Sequence, residues 1–200
     1  MKGIPSDEIF SNILPEKVSI SPQQFRGIKP KLVVREGDKV KSRSPLFFDK
    51  LKPEVKWASP SSGVVTSIHF GARRIIEKIE ISVEDKEPES YKSFSSSELN
   101  AADREAVMKN ILDACIFPLI RQRPFNKVAN PNDVPRDIFV SAYNTAPLSV
   151  NVSKVIQNNK DQFQAGLTAL SKLTDGSVYL TSQKPMEFDN VTNVTIEGPH

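Results

Sequence analysis

The sequence predicts a mixed α+β and α/β protein, in which a small β module is followed by a helical connector and the start of an α/β domain. Between residues 31 and 84, short apolar runs alternate with turns rich in Gly, Pro, Asp and Ser, as in small β sandwiches and barrels. Residues 98–115 carry apolar side chains at helical spacing. Beyond residue 136, the order of strand, long helix, strand and strand is typical of an α/β domain with a parallel sheet.

The β module is expected to follow an irregular lead-in, residues 1–30, with one short strand at 18–20. The strands predicted within the module, residues 31–84, are 31–34, 39–40, 46–49, 55–58, 64–68 and 75–83. In the last of these, Ile79, Ile81 and Val83 alternate with polar residues, which predicts a half-buried strand.

The helical connector, residues 85–135, begins with a charged break at 85–89, after which Ser95 and Glu98 have the spacing of a helix-start signature. The helix predicted at 98–115 places five side chains on one buried stripe, namely Val107, Met108, Ile111, Leu112 and Cys115. Cys115 is the only cysteine, so an intrachain disulfide is excluded and a reducing compartment is expected. Its place on the stripe favours a core thiol over a reactive nucleophile.

The last segment, residues 136–200, is predicted to begin an α/β domain. Its expected elements are a strand at 137–142, a helix near 153–173 that ends at Gly176, and strands at 177–181 and 194–196. Two or three strands with one crossover helix do not cover both faces of a parallel sheet. We therefore expect an incomplete α/β domain in a fragment of a longer protein.

Composition excludes several classes of protein. The net charge of +3 is mildly basic, and the sequence has neither a long Lys/Arg block nor aromatic residues between basic ones, so no nucleic-acid partner is expected. No apolar run approaches the roughly 20 residues that span a bilayer, and the amino terminus lacks the apolar core of a signal peptide. These features predict a soluble cytoplasmic chain.

One pattern in the β module resembles the barrel-sandwich hybrid of biotinyl and lipoyl domains. It consists of Glu36-Gly37-Asp38-x-Val40, an apolar pair and Ala58-x-Pro60-x-x-Gly63-x-Val65. Such domains carry a cofactor on a lysine at a hairpin tip, and Lys52 lies near the expected tip. Because Met-Lys-Met is absent and Pro53 stiffens the next position, a solvated charged turn is the preferred interpretation. A biotinyl or lipoyl carrier remains the alternative.

Further motifs follow in order along the chain. They are Gly71-x-Arg73-Arg74, Arg121-x-Arg123-Pro124-Phe125-x-Lys127-Val128, the Leu- and Gly-containing stretch 163–176, and Gly198-Pro199-His200. With these, the chain from about Gly27 onward resembles the A subunit of the sodium-translocating NADH:quinone oxidoreductase of bacterial membranes. That family is related to the C subunit of the Rnf electron-transport complex, which is a second alternative, and to the flavoprotein subunit of respiratory complex I.

The resemblance implies a role within a larger assembly. Members of the family are about twice as long as this chain and contain a Rossmann-like α/β domain. The resemblance implies a peripheral subunit on the cytoplasmic face of the bacterial inner membrane, docked to the integral B subunit and assembled with the other subunits. The complex as a whole uses NADH, flavins, iron–sulfur centres and quinone, and it exports sodium.

The relatives that bind flavin or NADH use a Gly-rich loop, because backbone N–H groups must approach the phosphate closely. The corresponding stretches here, residues 121–125 and 142–147, contain no glycine, and no G-x-G-x-x-G or Walker motif occurs elsewhere. We therefore expect this chain to bind no cofactor and to contain no catalytic residue.

Arg121 and Arg123 flank Gln122, and in an extended segment their guanidinium groups would point the same way, towards a carboxylate, a lipid phosphate or a quinone carbonyl. A structural clamp between domains is the preferred interpretation, because arginine pairs are common at polar domain seams. By resemblance, the candidates for quinone or partner contact are Arg121, Arg123, Phe125, Lys127, Tyr143, Asn144 and Thr145.

Arg73 and Arg74 are expected in a turn, either facing an acidic partner surface or simply solvated. His69 and His200 are the only histidines, and their spacing from acids and from the cysteine predicts no metal site. Trp57 is interpreted as a core or interface residue rather than a redox element.

Overall fold

The structure is a computed structural model that describes residues 15–84, 87–147 and 149–198. The described residues divide into two compact units. The β unit comprises residues 15–93 and 108–133, and the α/β unit comprises residues 94–107 and 134–198. Three sequence predictions fall wholly or partly outside the described residues: the first part of the lead-in, the charged pair at 85–86, and the terminal Pro199-His200.

The β unit contains two antiparallel sheets built from seven strands. These are β1 (Lys17–Ile20), β2 (Pro30–Leu32), β3 (Lys39–Val40), β4 (Pro45–Asp49), β5 (Lys52–Ala58), β6 (Gly63–Phe70) and β7 (Ile76–Val83). One sheet has the order β1-β7-β6-β3 and the other the order β2-β4-β5. The fully buried side chains come from both sheets, as in a sandwich: Leu46, Phe47, Val55, Val65, Ile79 and Ile81.

The first and last strands of the β module are neighbours. Strand β1 pairs with β7 in antiparallel register, with Lys17 opposite Ser82 and Ile20 opposite Ile79. The strands that the sequence predicts are all present, although β5 begins at Lys52, three residues earlier than expected.

Two acidic turns explain why the chain reverses where it does. Asp38 accepts a hydrogen bond from the backbone N–H of Arg35 at 2.7 Å, and the intervening Gly37 has a positive φ of 90°. Asp49, which is buried, accepts the N–H groups of Lys29 at 2.8 Å and Leu51 at 3.1 Å. Its carboxylate therefore closes the β4–β5 hairpin.

The connector contains two helices, not the single helix predicted at 98–115. They are α1 (Ser96–Ala101) and α2 (Arg104–Asp113). Ser95 and Glu98 form the predicted capping box at the start of α1. Asp103 interrupts the helical stretch, because its carboxylate accepts the N–H of Ala106 at 2.8 Å and so begins a second helix.

Two short strands and a turn complete this part of the β unit. A single helical turn, Phe117–Leu119, precedes β8 (Arg121–Gln122) and β9 (Lys127–Val128), which pair as an antiparallel hairpin. Cys115 is 7% exposed, which agrees with its interpretation as a core thiol.

The α/β unit contains a parallel sheet of the order β10-β11-β12. Its elements after α1 are β10 (Ile138–Ser141), α3 (Val152–Asn158), α4 (Lys160–Ser171), β11 (Val178–Ser182) and β12 (Thr192–Thr195). The sequence predicts the order of strand, helical stretch, strand and strand correctly, although it predicts one helix where the structure has two. The core contains Ile156 and Leu167 from the helices with Val178 and Leu180 from the central strand.

The helix predicted at 153–173 is wrong in one respect, because it is interrupted at Asn159, where α3 ends and α4 begins. Its end at Ser171 lies within two residues of the predicted end. Gly176 serves a different purpose: a Cβ there would lie 1.9 Å from the carbonyl oxygen of Arg136, so only glycine fits beside that backbone.

Candidate functional site

The segment with the most candidate residues is the β8–β9 hairpin, which we call the Arg-Pro-Phe hairpin (residues 121–128). Arg121 pairs with Val128 and Gln122 with Lys127. Residues 123–126 form its turn, with Asn126 at a φ of 50°. Because Arg123 already lies in the turn, the extended segment assumed for the two arginines ends at Gln122. Arg123 is exposed, and no ion pair to another described residue is found for it.

Arg121 packs against an aromatic stack. Its guanidinium carbon lies 5.0 Å from the centre of the Phe25 ring. Phe25 contacts Trp57 edge to face at 5.2 Å, and Trp57 stacks on Phe47 at 4.9 Å. Trp57 and Phe47 are buried, which confirms Trp57 as a packing residue. The aromatic stack therefore connects Arg121 to the buried core of the β unit.

Lys52 also forms a hydrogen bond close to the hairpin. Its ammonium group donates to the carbonyl oxygen of Ala129 at 3.3 Å, directly after the hairpin. The exposed tip between β4 and β5 consists of Lys50 and Leu51, and Lys52 is the first residue of β5. Lys52 therefore lies next to the hairpin tip, as expected, but within β5, because the strand begins earlier than the sequence indicates.

The hairpin and the turn before it expose large apolar side chains. Phe125 is 73% exposed in the hairpin turn, and Leu119 is 77% exposed in the preceding helical turn. Such exposure of a large aromatic side chain beside Arg123 and Lys127 is typical of a contact surface.

The other candidates, residues 143–145, belong to the α/β unit and follow β10. Tyr143 is buried, and its hydroxyl donates to the carbonyl oxygen of Gly198, which follows the last strand of the sheet. The side-chain oxygen of Asn144 accepts the N–H of Ala146 at 2.9 Å. Both side chains thus stabilise the loop in which they lie. The candidate residues therefore fall into two groups, one in each unit.

Arg73 and Arg74 lie in the turn between β6 and β7, as the sequence predicts. Both have positive φ angles, 57° and 59°, and both are exposed. Neither forms an ion pair with another residue in the described part of the chain. Phe70 and Ile75, which flank the turn, are each 50% exposed. Phe70 and Ile75 are not among the sequence-predicted site residues, although both are apolar and lie beside the two arginines.

Charged and polar side chains on the β6–β7 face form ion pairs and hydrogen bonds with one another. Lys78 lies 2.5 Å from the Glu80 carboxylate and Ser67 donates to it at 2.8 Å, and these contacts lower the pKa of Glu80 to about 2. His69 lies 3.5 Å from the same carboxylate.

Elsewhere in the β unit, burial raises the pKa of the Cys115 thiol and of Tyr91.

The described residues contain no cluster of three His, Cys, Asp or Glu side chains that could hold a metal ion, and His200 lies outside these residues. Within the same residues, every helix is too short or too polar to cross a membrane.

The fold defines a class of protein in which a sandwich-like β unit is joined to a parallel α/β unit. A family model described as "NqrA N-terminal barrel-sandwich hybrid domain" matches residues 1–84, and one described as "NqrA second alpha/beta domain" matches residues 102–200. Together they account for all of the chain except residues 85–101. The chain therefore belongs to the NqrA family, which confirms both the predicted fold class and the family resemblance.

Curated relatives agree with these models. The chain is 35% identical to the A subunit of the Na(+)-translocating NADH-quinone reductase of Marinomonas sp. over 98% of the chain and 44% of the relative. It is 38% identical to the protein of the same name from Saccharophagus degradans over 89% of the chain and 40% of the relative. The chain spans less than half the length of either relative.

Proposed function

We propose that this chain is part of a peripheral subunit of a sodium-translocating NADH:quinone reductase and acts by contact with neighbouring subunits. The names of its relatives support the assignment to such a complex. The exposure of Phe125 supports the contact role, since 73% of this residue is exposed at the turn of the hairpin. The hairpin itself is held in place by Arg121, which packs on an aromatic stack that includes the buried residues Trp57 and Phe47. The complex would oxidise NADH, reduce quinone and export sodium, with no complete active site in this chain.

The partner we propose for the Arg-Pro-Phe hairpin is the integral B subunit, at the cytoplasmic face of the bacterial inner membrane. Phe125 and Leu119 supply apolar area, while Arg123 and Lys127 supply positive charge around it. Aromatic residues with neighbouring arginines are the common anchors of protein interfaces.

The test is assembly of the complex in cells that produce this subunit with its partners. Phe125→Ser together with Leu119→Ser is expected to reduce co-purification of the B subunit at least about tenfold. Phe139→Ser is the matched control, because Phe139 is 67% exposed in the α/β unit, outside the hairpin. Normal recovery of the B subunit with the double variant, or equal loss with Phe139→Ser, would refute the hairpin as the contact.

A quinone contact at the same hairpin is a second part of the proposal. The ring of Phe125 offers a face for stacking, and Arg123 and Lys127 offer donors for a quinone carbonyl. Arg121 would contribute indirectly, since it already packs on Phe25. Tyr143, Asn144 and Thr145 remain candidates in the α/β unit. Photolabelling of the complex with a quinone azide should mark the hairpin, and labelling confined to other subunits would contradict this part.

We further propose that the chain itself holds neither flavin nor NADH. Residues 121–125 and 142–147 contain no glycine, and a loop that binds a phosphate through its backbone N–H groups usually needs glycine to let the phosphate approach. Fluorescence titration with FMN and with NADH should show no saturable binding. A dissociation constant in the micromolar range would overturn this statement while leaving the docking proposal intact.

The carrier alternative now has less support, because Lys52 donates to Ala129. An intact-mass measurement on protein from cells with biotin and lipoyl ligases should show no added mass on any lysine.

A further inference from the structure

The β6–β7 turn combines features that no other described turn of the β unit shows together. It places Arg73 and Arg74 side by side, with Phe70 and Ile75 half exposed on either side. We call these four residues the basic finger. Backbone hydrogen bonds from Gly71 to Ile75 and from Ile75 to Ala72 hold the turn in shape.

We propose that the basic finger binds the anionic headgroup surface of a lipid bilayer, with the two arginines on phosphates and Phe70 and Ile75 entering the interface. This inference goes beyond the contact proposed for the Arg-Pro-Phe hairpin. The sequence predicts that Arg73 and Arg74 lie in a turn that could face an acidic surface. The proposal identifies that surface as lipid phosphate.

Charge is the first argument. Neither arginine forms an ion pair with another described residue, so both guanidinium groups are available for phosphate oxygens, which they bind in a bidentate manner. Both arginines also have positive φ angles, a conformation that L-residues adopt at a cost. Arginine is thus present at two positions where glycine or asparagine would suit the backbone better.

The size of the surface favours a membrane over a protein. A stable protein interface needs about 800 Å² from each partner. The surface next to the finger is occupied by Ser67, Lys78 and Glu80, which already bind one another. Four protruding side chains with this composition match the bilayer interface instead, where apolar side chains enter the headgroups and cations pair with phosphates.

The experiment is co-sedimentation of the chain with vesicles of phosphatidylcholine, with and without phosphatidylglycerol, at low and high salt. The chain is expected to bind only the anionic vesicles, and high salt should release it. Arg73→Glu with Arg74→Glu should weaken this binding at least about tenfold. Phe70→Ser with Ile75→Ser should weaken it by a similar factor while the salt dependence persists.

The control reverses two charges elsewhere. Arg35→Glu with Arg136→Glu changes the net charge equally but leaves the finger intact, so binding should fall less than about threefold. Circular dichroism melts of all variants verify that each is folded. Equal losses in the finger and control variants, or equal binding to neutral vesicles, would overturn the proposal.

A third outcome distinguishes a lipid from a protein as the ligand of the finger. If the chain does not bind vesicles but the finger variants fail to co-purify with a partner subunit, the finger binds an acidic protein and the lipid assignment is wrong. The Phe125 and Leu119 experiment does not depend on this result, because those residues lie outside the finger.

Discussion

At the scale of single residues, Arg121 shows how a side chain that the sequence makes a candidate for partner contact also packs within the fold. Its guanidinium group covers the Phe25 ring, and that ring rests on Trp57. A cation over an aromatic face contributes about 0.5–2 kcal/mol, depending on its exposure. Arg121 is therefore already engaged within the β unit.

Arg121→Ala should lower the free energy of unfolding by about 1 kcal/mol, because the cation–aromatic contact and its packing are lost. Urea denaturation followed by Trp57 fluorescence measures the change. Arg123→Ala, in the exposed turn, should cost less than about 0.5 kcal/mol. Equal costs for the two variants would show that Arg121 has no special contact.

The carboxylate of Glu80 should make stability depend on pH. Its pKa falls from an ordinary 4.5 to about 2 in the folded protein because of Lys78 and Ser67. A depressed pKa means that the ionised group stabilises the fold above about pH 4.5, and that this contribution disappears as the pH falls towards 2.

Glu80→Gln should therefore melt below the wild type at about pH 6, and the two melting temperatures should converge towards about pH 2. Thermal melts at low salt are the appropriate measurement, since this exposed pair is screened by ions. Ser67→Ala should show a smaller effect of the same form. A difference that is constant across this pH range would contradict the assignment.

At the scale of elements, the helices and the strands differ in how they tolerate a side chain at glycine. Gly63 begins β6 opposite Val83, and a Cβ there would lie 1.9 Å from the carbonyl oxygen of Ser82. Gly166 lies in α4, where a Cβ would meet nothing within 4 Å.

Gly63→Ala should destabilise the protein by about 2–4 kcal/mol, because the sheet must open to accept the methyl group. Gly166→Ala should instead stabilise it by about 0.5–1 kcal/mol, since alanine restricts the unfolded chain and favours the helix. Denaturant titrations of the two variants provide the comparison. A neutral Gly63→Ala would show that β6 and β7 are not held as closely as the structure indicates.

The same elements show what the sequence reveals and what it does not. Strands were predictable because local residues such as Gly37, Asp38 and Asp49 define the turns between them. The helix breaks at Asp103 and Asn159 were missed, because the apolar spacing continues through both and hides the new start. Asp and Asn are preferred residue types at helix N-caps, so a signal was present but weaker than the apolar period, although the Asn159 side chain forms no capping hydrogen bond.

The candidate site was less predictable than the fold. That Arg121 contacts Phe25 depends on a pairing between segments far apart in the sequence, which no local pattern encodes. Exposure of Phe125 and burial of Tyr143 likewise follow from the tertiary structure, although both are aromatic residues beside polar ones.

At the scale of the whole molecule, the two units should behave as separate folding bodies, because each has its own buried core. Ile79 is fully buried in the β unit and Leu180 in the α/β unit. Domains with separate cores are able to unfold separately.

Ile79→Ala and Leu180→Ala should each cost about 2–5 kcal/mol, and each should lower the transition of its own unit only. Differential scanning calorimetry distinguishes the two transitions. A single transition that both variants shift equally would show that the units unfold as one body.

The pairing of β1 with β7 has a consequence for how this polypeptide is assembled from parts. Since Lys17 lies opposite Ser82, the chain enters and leaves the sandwich at neighbouring points. Ends that lie close together allow a β module to be inserted into a longer polypeptide with little strain, provided that residues 108–133, which belong to the same unit, still pack against it.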